Sequence, residues 1–349
     1  MGSPVKVLVV DDSAFMRKAI TAMLNSDPDI KVIGEAVDGE DAVLKVKSLI
    51  PDVVTMDIEM PKLNGLDALR RIMKDMPVPV IMVSSLTEEG ARETMKALEI
   101  GAVDYVPKHL SGNIVNITNI KNDICSKVKH VGRSKYKLKR LTDTSRAPVL
   151  TPDFSMQKNT NRIKLVIIGS STGGPKSLQD VLPRLPKNFP AGVIVVQHML
   201  PLFTASFAER MGELCQMELR EARDGDLIKP GLVLIAKGGS HLIVERSKTG
   251  EVYVKLTCEP STIHMPSVDV AMESVARTYA EHAIGVIMTG MGQDGCEGLK
   301  MMKKMKGKVI AQDEETSVIF GMPKAAIESG VVDKIVPLGK IADEIINML

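Results

Sequence analysis

The sequence predicts two α/β domains joined by a linker, and three observations carry that expectation: the length, a repeated alternation of segments, and a break between the two alternating regions. The 349 residues exceed one core of ordinary size, since domains usually span roughly 100–200 residues. Short β-branched runs alternate with amphipathic helical stretches from Val5 to about Lys129, and again from Arg162 onward. Between these regions the hydrophobic periodicity fades and Ser, Thr, Pro and charged residues take over. The expected boundaries are therefore 4–129 for the first domain, 130–161 for the linker and 162–349 for the second domain.

In the first domain the strands are VKVLVV, KVIGEAV, DVVTMDI, VPVIMVSS and AVDYVPK. Helices SAFMRKAITAML, EDAVLKVKSL, GLDALRRIM and ARETMKALEI separate them, and a last helix covers about 113–128. Such a pattern predicts a flavodoxin-like fold, with five parallel strands and helices on both faces. The second domain opens with RIKLVIIG, a Gly-rich turn and a helix from Pro175, and continues through AGVIVVQH, LVLIA, AIGVIMTG and GKVIAQ. LIVER and EVYVKL read as a β-hairpin inserted in a doubly wound, mostly parallel sheet.

Composition bounds the function. A 44% hydrophobic and 25% charged chain is that of a water-soluble globular protein, and a formal net charge of +2 gives no global attraction to nucleic acid or acidic membranes. Cys125, Cys215, Cys258 and Cys296 form no CxxC pair and have no histidine at zinc-ligand spacing, which fits a reducing compartment. The N-terminus enters an apolar strand almost at once, and no run approaches the roughly 18 apolar residues of a membrane span. A cytoplasmic monomer without membrane insertion is expected. Seven Lys or Arg and no acid between Lys127 and Arg140 leave one alternative open, a DNA-binding transcription regulator. The blander reading is a solvated extension of the last helix of the first domain, since Tyr136 alone interleaves an aromatic with these charges.

In a parallel sheet, ligands bind at the carboxyl ends of the strands. Asp11 and Asp12 close the first strand and Asp57 the third, so three carboxylates converge at one edge. A hard divalent ion held by oxygen ligands relieves their repulsion, which points to Mg²⁺. Ser84 ends the fourth strand and Lys108 follows the fifth, placing a hydroxyl and an ammonium where they could neutralise a phosphoryl group on Asp57.

The segments VVDDS, TMDIEMPKLNG, VSS and DYVPK resemble the response-regulator receiver family over some 120 residues. The resemblance implies that Asp57 accepts a phosphoryl group and that Asp12, Asp57 and the backbone carbonyl of Glu59 hold Mg²⁺, with Asp11 in support. It also implies that Ser84, Tyr105 and Lys108 carry the switch. One departure is visible: the family carries proline after the lysine, whereas here His109 follows Lys108 and Pro107 precedes it.

In the second domain a strand runs straight into GSSTGGP and a helix, so Gly169, Ser171 and Gly173 satisfy G-x-S-x-G at a sharp turn. Alone, that turn could equally cradle a phosphate on its N–H groups. A serine nucleophile needs a base to take its proton and an acid to orient the base. His198 ends the apolar strand GVIVVQ, and Asp294 lies in the loop after AIGVIM, so three strand ends bring Ser, His and Asp to one sheet edge. Of the remaining histidines, His241 begins a hairpin strand and His264 falls in a loop.

IGSSTGGP, VVQHMLPLFTASFAER, HMPSVDV and IMTGMGQDG are similar to the catalytic domain of the chemotaxis protein-glutamate methylesterase family, CheB, from Arg162 onward. That similarity implies Ser171 as nucleophile, His198 as general base and acid, and Asp294 as the orienting carboxylate, with no cofactor for the ester chemistry. The N–H of Thr172 and one near Met291 are the expected oxyanion donors. The resemblance further implies methyl-accepting chemotaxis receptors as substrate, the chemotaxis histidine kinase CheA as phosphoryl donor, a companion glutamine deamidase activity, and inhibition of the esterase by the unphosphorylated receiver.

Overall fold

The computed structural model describes residues 3–108, 114–134 and 163–349, which fall in two compact units, Met1–Ser145 and Arg146–Leu349. His109 and most of the expected linker lie outside the described residues.

The first unit follows the expected alternation. Strands β1 (Val5–Val10), β2 (Ile30–Ala36), β3 (Val53–Asp57), β4 (Val80–Ser84) and β5 (Asp104–Pro107) pair in the order β2-β1-β3-β4-β5, all parallel. β3 and β4 are buried along their whole lengths, as strands covered on both faces must be. Helices α1 (Ala14–Asn25), α2 (Gly39–Leu49), α3 (Gly65–Asp75), α4 (Glu88–Ile100) and α5 (Ile114–Arg133) connect and cover them. Ser13, Asp38, Asn64 and Thr87 cap the first four, each side chain accepting a backbone N–H of the first turn.

One boundary differs from expectation. α5 continues to Arg133, four residues into the stretch assigned to the linker. Its buried face, Ile124, Cys125, Val128 and Val131, keeps helical spacing, so the core extends the helix. Three of its cations are paired too: Lys127 lies 3.4 Å from Asp104 and 3.3 Å from Asp123, Lys129 2.6 Å from Asp27 and Arg133 2.8 Å from Asp29. Three of the seven basic residues that suggested a nucleic-acid arm therefore neutralise acids of their own domain. The other four, Lys135 to Arg140, lie outside the described residues.

The second unit is built on seven parallel strands. These are β6 (Leu165–Ser170), β7 (Gly192–Gln197), β8 (Glu218–Glu221), β9 (Leu232–Ile235), β12 (Ala283–Ile287), β13 (Lys308–Gln312) and β14 (Lys334–Val336). β10 (His241–Arg246) and β11 (Val252–Thr257) form the antiparallel hairpin in a separate sheet. The large sheet runs β14-β13-β12-β6-β7-β9-β8. Two of these strands were not legible in the sequence: β8, ELRE, and β14, KIV, are short, partly exposed edge strands without a hydrophobic run. Helices α6 (Gly174–Val181), α7 (Pro201–Leu214), α8 (Val268–Tyr279), α9 (Cys296–Lys304), α10 (Met322–Glu328) and α11 (Ile341–Asn347) complete the unit. Met272, Val275 and Tyr279 of α8 and Leu299 and Met302 of α9 join the sheet's core.

The first strand, β6, lies in the middle, and the chain builds outward from it in both directions. That reversal opens a crevice at the carboxyl ends of the central strands. Among the described residues no helix is long and apolar enough to cross a membrane.

Candidate active site and phosphorylation site

The residues expected from the sequence to be catalytic lie at that crevice, Ser171 and His198 after neighbouring strand ends and Asp294 bonded to His198. β6 and β7 pair in register, with Ser170 opposite Gln197, so Ser171 and His198 are each the first residue past a matched pair. His198 N donates to Ser170 O at 3.1 Å, which extends the ladder by one bond. Buried Gln197 ties the two turns together: its Nε2 donates to Ser171 O at 2.9 Å and His198 O at 3.1 Å, and its Oε1 accepts from Ser170 Oγ at 2.7 Å. On the other side of β6, Ser171 N donates to Thr289 O at 3.0 Å, joining the turn at Ser171 to the loop after β12.

The turn is tight. Gly173 has a φ of +77°, and Gly290 approaches so closely that an added Cβ would lie 2.9 Å from Ser171 Cβ and 2.1 Å from Met322 Sδ.

His198 Nε2 lies 2.7 Å from Asp294 Oδ2. Three donors at the start of α8 hold the same carboxylate: Val268 N at 2.7 Å, Asp269 N at 3.0 Å and Ser267 Oγ at 2.9 Å. A helix N-terminus stabilises negative charge, so Asp294 sits where ionisation is favoured. Burial opposes that charge, but the hydrogen bond and charge of His198 and the two backbone N–H groups outweigh it, holding the carboxyl well below the usual carboxylate range. The neighbouring Asp269 carboxyl is pushed up to about 6, first by burial and then by the Asp294 charge, against the Gly298 N–H that it accepts.

With Nε2 turned to Asp294, the other imidazole nitrogen is left for the serine. Among the described residues His198 Nδ1 is buried without a hydrogen-bond partner, and no hydrogen bond joins it to Ser171 Oγ. Serine and histidine thus sit at neighbouring strand ends with the direct bond unformed, as is common before substrate tightens a catalytic site. His264 stacks on the His198 ring, with centroids 4.2 Å apart and planes 18° from parallel. Thr172, an expected oxyanion donor, is buried directly after Ser171. Thr289 Oγ1 donates to Thr172 O at 3.0 Å and accepts from Ile319 N at 3.0 Å, fixing the loop that leads to Met291.

Sequence reasoning missed Gln197, Thr289, Ser267 and the stacking role of His264. Ser267 and His264 stand in the HMPSVDV segment, whose Ser-Val-Asp tripeptide was a helix-start signal in plain view. Gln197 and Thr289 close apolar strands and carry no signal before the strands are paired.

In the first unit, ligand oxygens of Asp11, Asp12 and Asp57 lie within 4.8 Å of one another. Lys108 Nζ reaches Asp57 Oδ2 at 2.6 Å and Asp11 Oδ2 at 3.1 Å. Burial first, then the Asp11 charge, push the Asp57 carboxyl up to about 6 against the pull of Lys108 and the Ile58 N–H. An all-oxygen donor set around a buried acid suits a small, hard divalent ion. Ser84 is turned toward α4, donating to Gly90 O at 3.1 Å and accepting from Thr94 Oγ1 at 2.7 Å. Tyr105 is buried, with Lys127 Nζ 5.4 Å from its ring centroid. Glu59 is exposed two residues beyond Asp57.

Comparison with known proteins places both units. Residues 166–345 match the family model for CheB methylesterase, and residues 7–117 match that for the response regulator receiver domain. The chain belongs to the CheB methylesterase family. A relative from Lawsonia intracellularis, named protein-glutamate methylesterase/protein-glutamine glutaminase, is 45% identical, with 99% of each chain covered. Another of that name, from Pyrococcus horikoshii, is 46% identical over 99% of this chain and 94% of its own. The crystal structure of the Thermotoga maritima CheB methylesterase catalytic domain covers 53% of this chain and 98% of that one, with 45% identity and a TM-score of 0.52. The family pairs a receiver with a methylesterase, and the two constellations found here occupy the corresponding units.

Proposed function

We propose that this chain hydrolyses glutamate methyl esters on methyl-accepting chemotaxis receptors through Ser171, His198 and Asp294, under control of phosphorylation at Asp57. The observation that carries this reading is the 2.7 Å bond between His198 and an acid held ionised by a helix start, one register step from Ser171. Ser171 Oγ attacks the ester carbonyl as His198 Nδ1 takes its proton, and Asp294 stabilises the resulting imidazolium. The N–H groups of Thr172 and Met291 receive the developing oxyanion. His198 returns the proton to the departing methoxide, releasing methanol and leaving an acyl-serine. Water then attacks the acyl carbon, giving its proton to His198, and free glutamate and Ser171 are regenerated. A primary amide follows the same route with ammonia as leaving group, which makes glutamine deamidation a companion activity.

In the receiver, Asp57 Oδ accepts a phosphoryl group from the chemotaxis histidine kinase CheA. Asp12, Asp57 and the Glu59 carbonyl would hold Mg²⁺, with Asp11 in support, and the ion would neutralise charge on the transferring group. Lys108 neutralises a further phosphoryl oxygen, and Ser84 turns from Gly90 toward the acyl phosphate as Tyr105 reports the change.

Methanol release from methylated receptor membranes tests the reading. Ser171→Ala should lower the rate by about 10⁴–10⁶. A variant that keeps the wild-type rate would remove Ser171 from the mechanism.

A further inference from the structure

Behind the triad lies a second set of buried polar contacts. Ser267 gives its hydroxyl to Asp294 Oδ1 at 2.9 Å while its backbone N–H donates to His241 Nδ1 at 3.1 Å. His241 is wholly buried, and its Nε2 meets Pro260 O at 2.9 Å. An N–H can only donate and a carbonyl can only accept, so these partners select one neutral tautomer, protonated on Nε2 and bare on Nδ1. His241 therefore pins both ends of the loop from Pro260 to Ser267. Between the pinned ends, Gly239 N donates to Met265 O at 3.0 Å, and His264 lies on the face of the His198 ring. One loop thus touches both the ring of the base and the carboxylate that orients it.

We propose that His241 and Ser267 form a positioning relay that holds this loop as a clamp on the His198–Asp294 pair, an inference that rests on the triad reading above. Packing alone does not ask for a histidine at position 241. An apolar side chain would fill the space and leave the Ser267 N–H and the Pro260 carbonyl buried without partners. Neither relay residue touches the reacting atoms. They act by fixing Asp294, and misplacing a catalytic group by about 1 Å can cost on the order of 10²-fold in rate.

The test uses the full-length protein and methylated receptor membranes. Ser267→Ala and His241→Leu should each lower kcat by about 10- to 100-fold with KM near the wild-type value. Ser267→Thr keeps the hydroxyl and His241→Asn keeps an acceptor at the Nδ1 position, so both should recover most of the loss. Because the two residues act in series, the double variant Ser267→Ala/His241→Leu should fall no further than the slower single variant.

A second readout is independent of turnover: the downfield proton resonance of His198 Nε2–H on Asp294, recorded in a Ser171→Ala background. It should shift when Ser267→Ala or His241→Leu is added and stay in place with Ser267→Thr. Wild-type kcat with an unmoved resonance in Ser267→Ala overturns the relay, as do fully multiplicative losses in the double variant. If His241→Leu does not fold, Ser267→Ala and its threonine rescue decide alone. Failure of the triad reading shows separately, as retained activity in Ser171→Ala with His241 and Ser267 intact.

Discussion

Asp57 illustrates how a single side chain links stability to chemistry. Burial and the Asp11 charge push its carboxyl from 3.8 to about 6. Between about pH 4 and pH 6 the folded receiver keeps a proton that the unfolded chain has already released, so stability falls as pH rises through that window. Above it the ionised acid carries the full penalty, about 2–3 kcal/mol at one pKa unit per 1.36 kcal/mol. Asp57→Asn should therefore slow hydrogen exchange at the β1 and β3 amides at pH 7.5 in metal-free buffer, and give no such protection at pH 4. Equal protection at both values would show that Asp57 is not strained by its charge. A divalent cation held by the neighbouring carboxylates would relieve the same strain.

At the scale of elements, strand pairing rather than any one turn brings the proposed catalytic groups to one edge of the sheet. Gln197 is the clearest case, since its amide bridges the turns after β6 and β7 with both donors and its carbonyl engaged. Gln197→Glu would set a carboxylate oxygen against the Ser171 and His198 carbonyls, and should destabilise the catalytic unit by about 2–4 kcal/mol and depress esterase activity with it. Urea denaturation of the variant with an unchanged midpoint would refute the bridge.

The central strands were legible because LVIIGS, GVIVVQ and AIGVI are apolar throughout, and Ser171, His198 and Asp294 stood out as candidates because each follows such a run. It hid β8 and β14, whose charged edges carry no hydrophobic pattern, and the polar residues whose partners exist only after β6 lies between β7 and β12. In α5 the same physics moved a boundary: Val131 and the Arg133–Asp29 pair keep the helix going where the composition had already turned polar.

For the whole molecule, the receiver match and the methylesterase match fall in separate compact units. The proposed inhibition by the receiver has a direct consequence for a shortened chain. Deleting residues 1–160 should raise the basal rate of methanol release, and the freed unit should no longer respond to phosphoryl donors. An unchanged or lower rate in the truncated protein would count against inhibition by the receiver.

The middle position of β6 also bears on how the enzyme is made. Its neighbour β7 leaves the ribosome soon after it, whereas its other neighbour, β12, is synthesised near the end of the chain and brings Asp294 behind it. A nascent polypeptide therefore carries Ser171 and His198 well before Asp294, so the triad proposed above can assemble only late in synthesis.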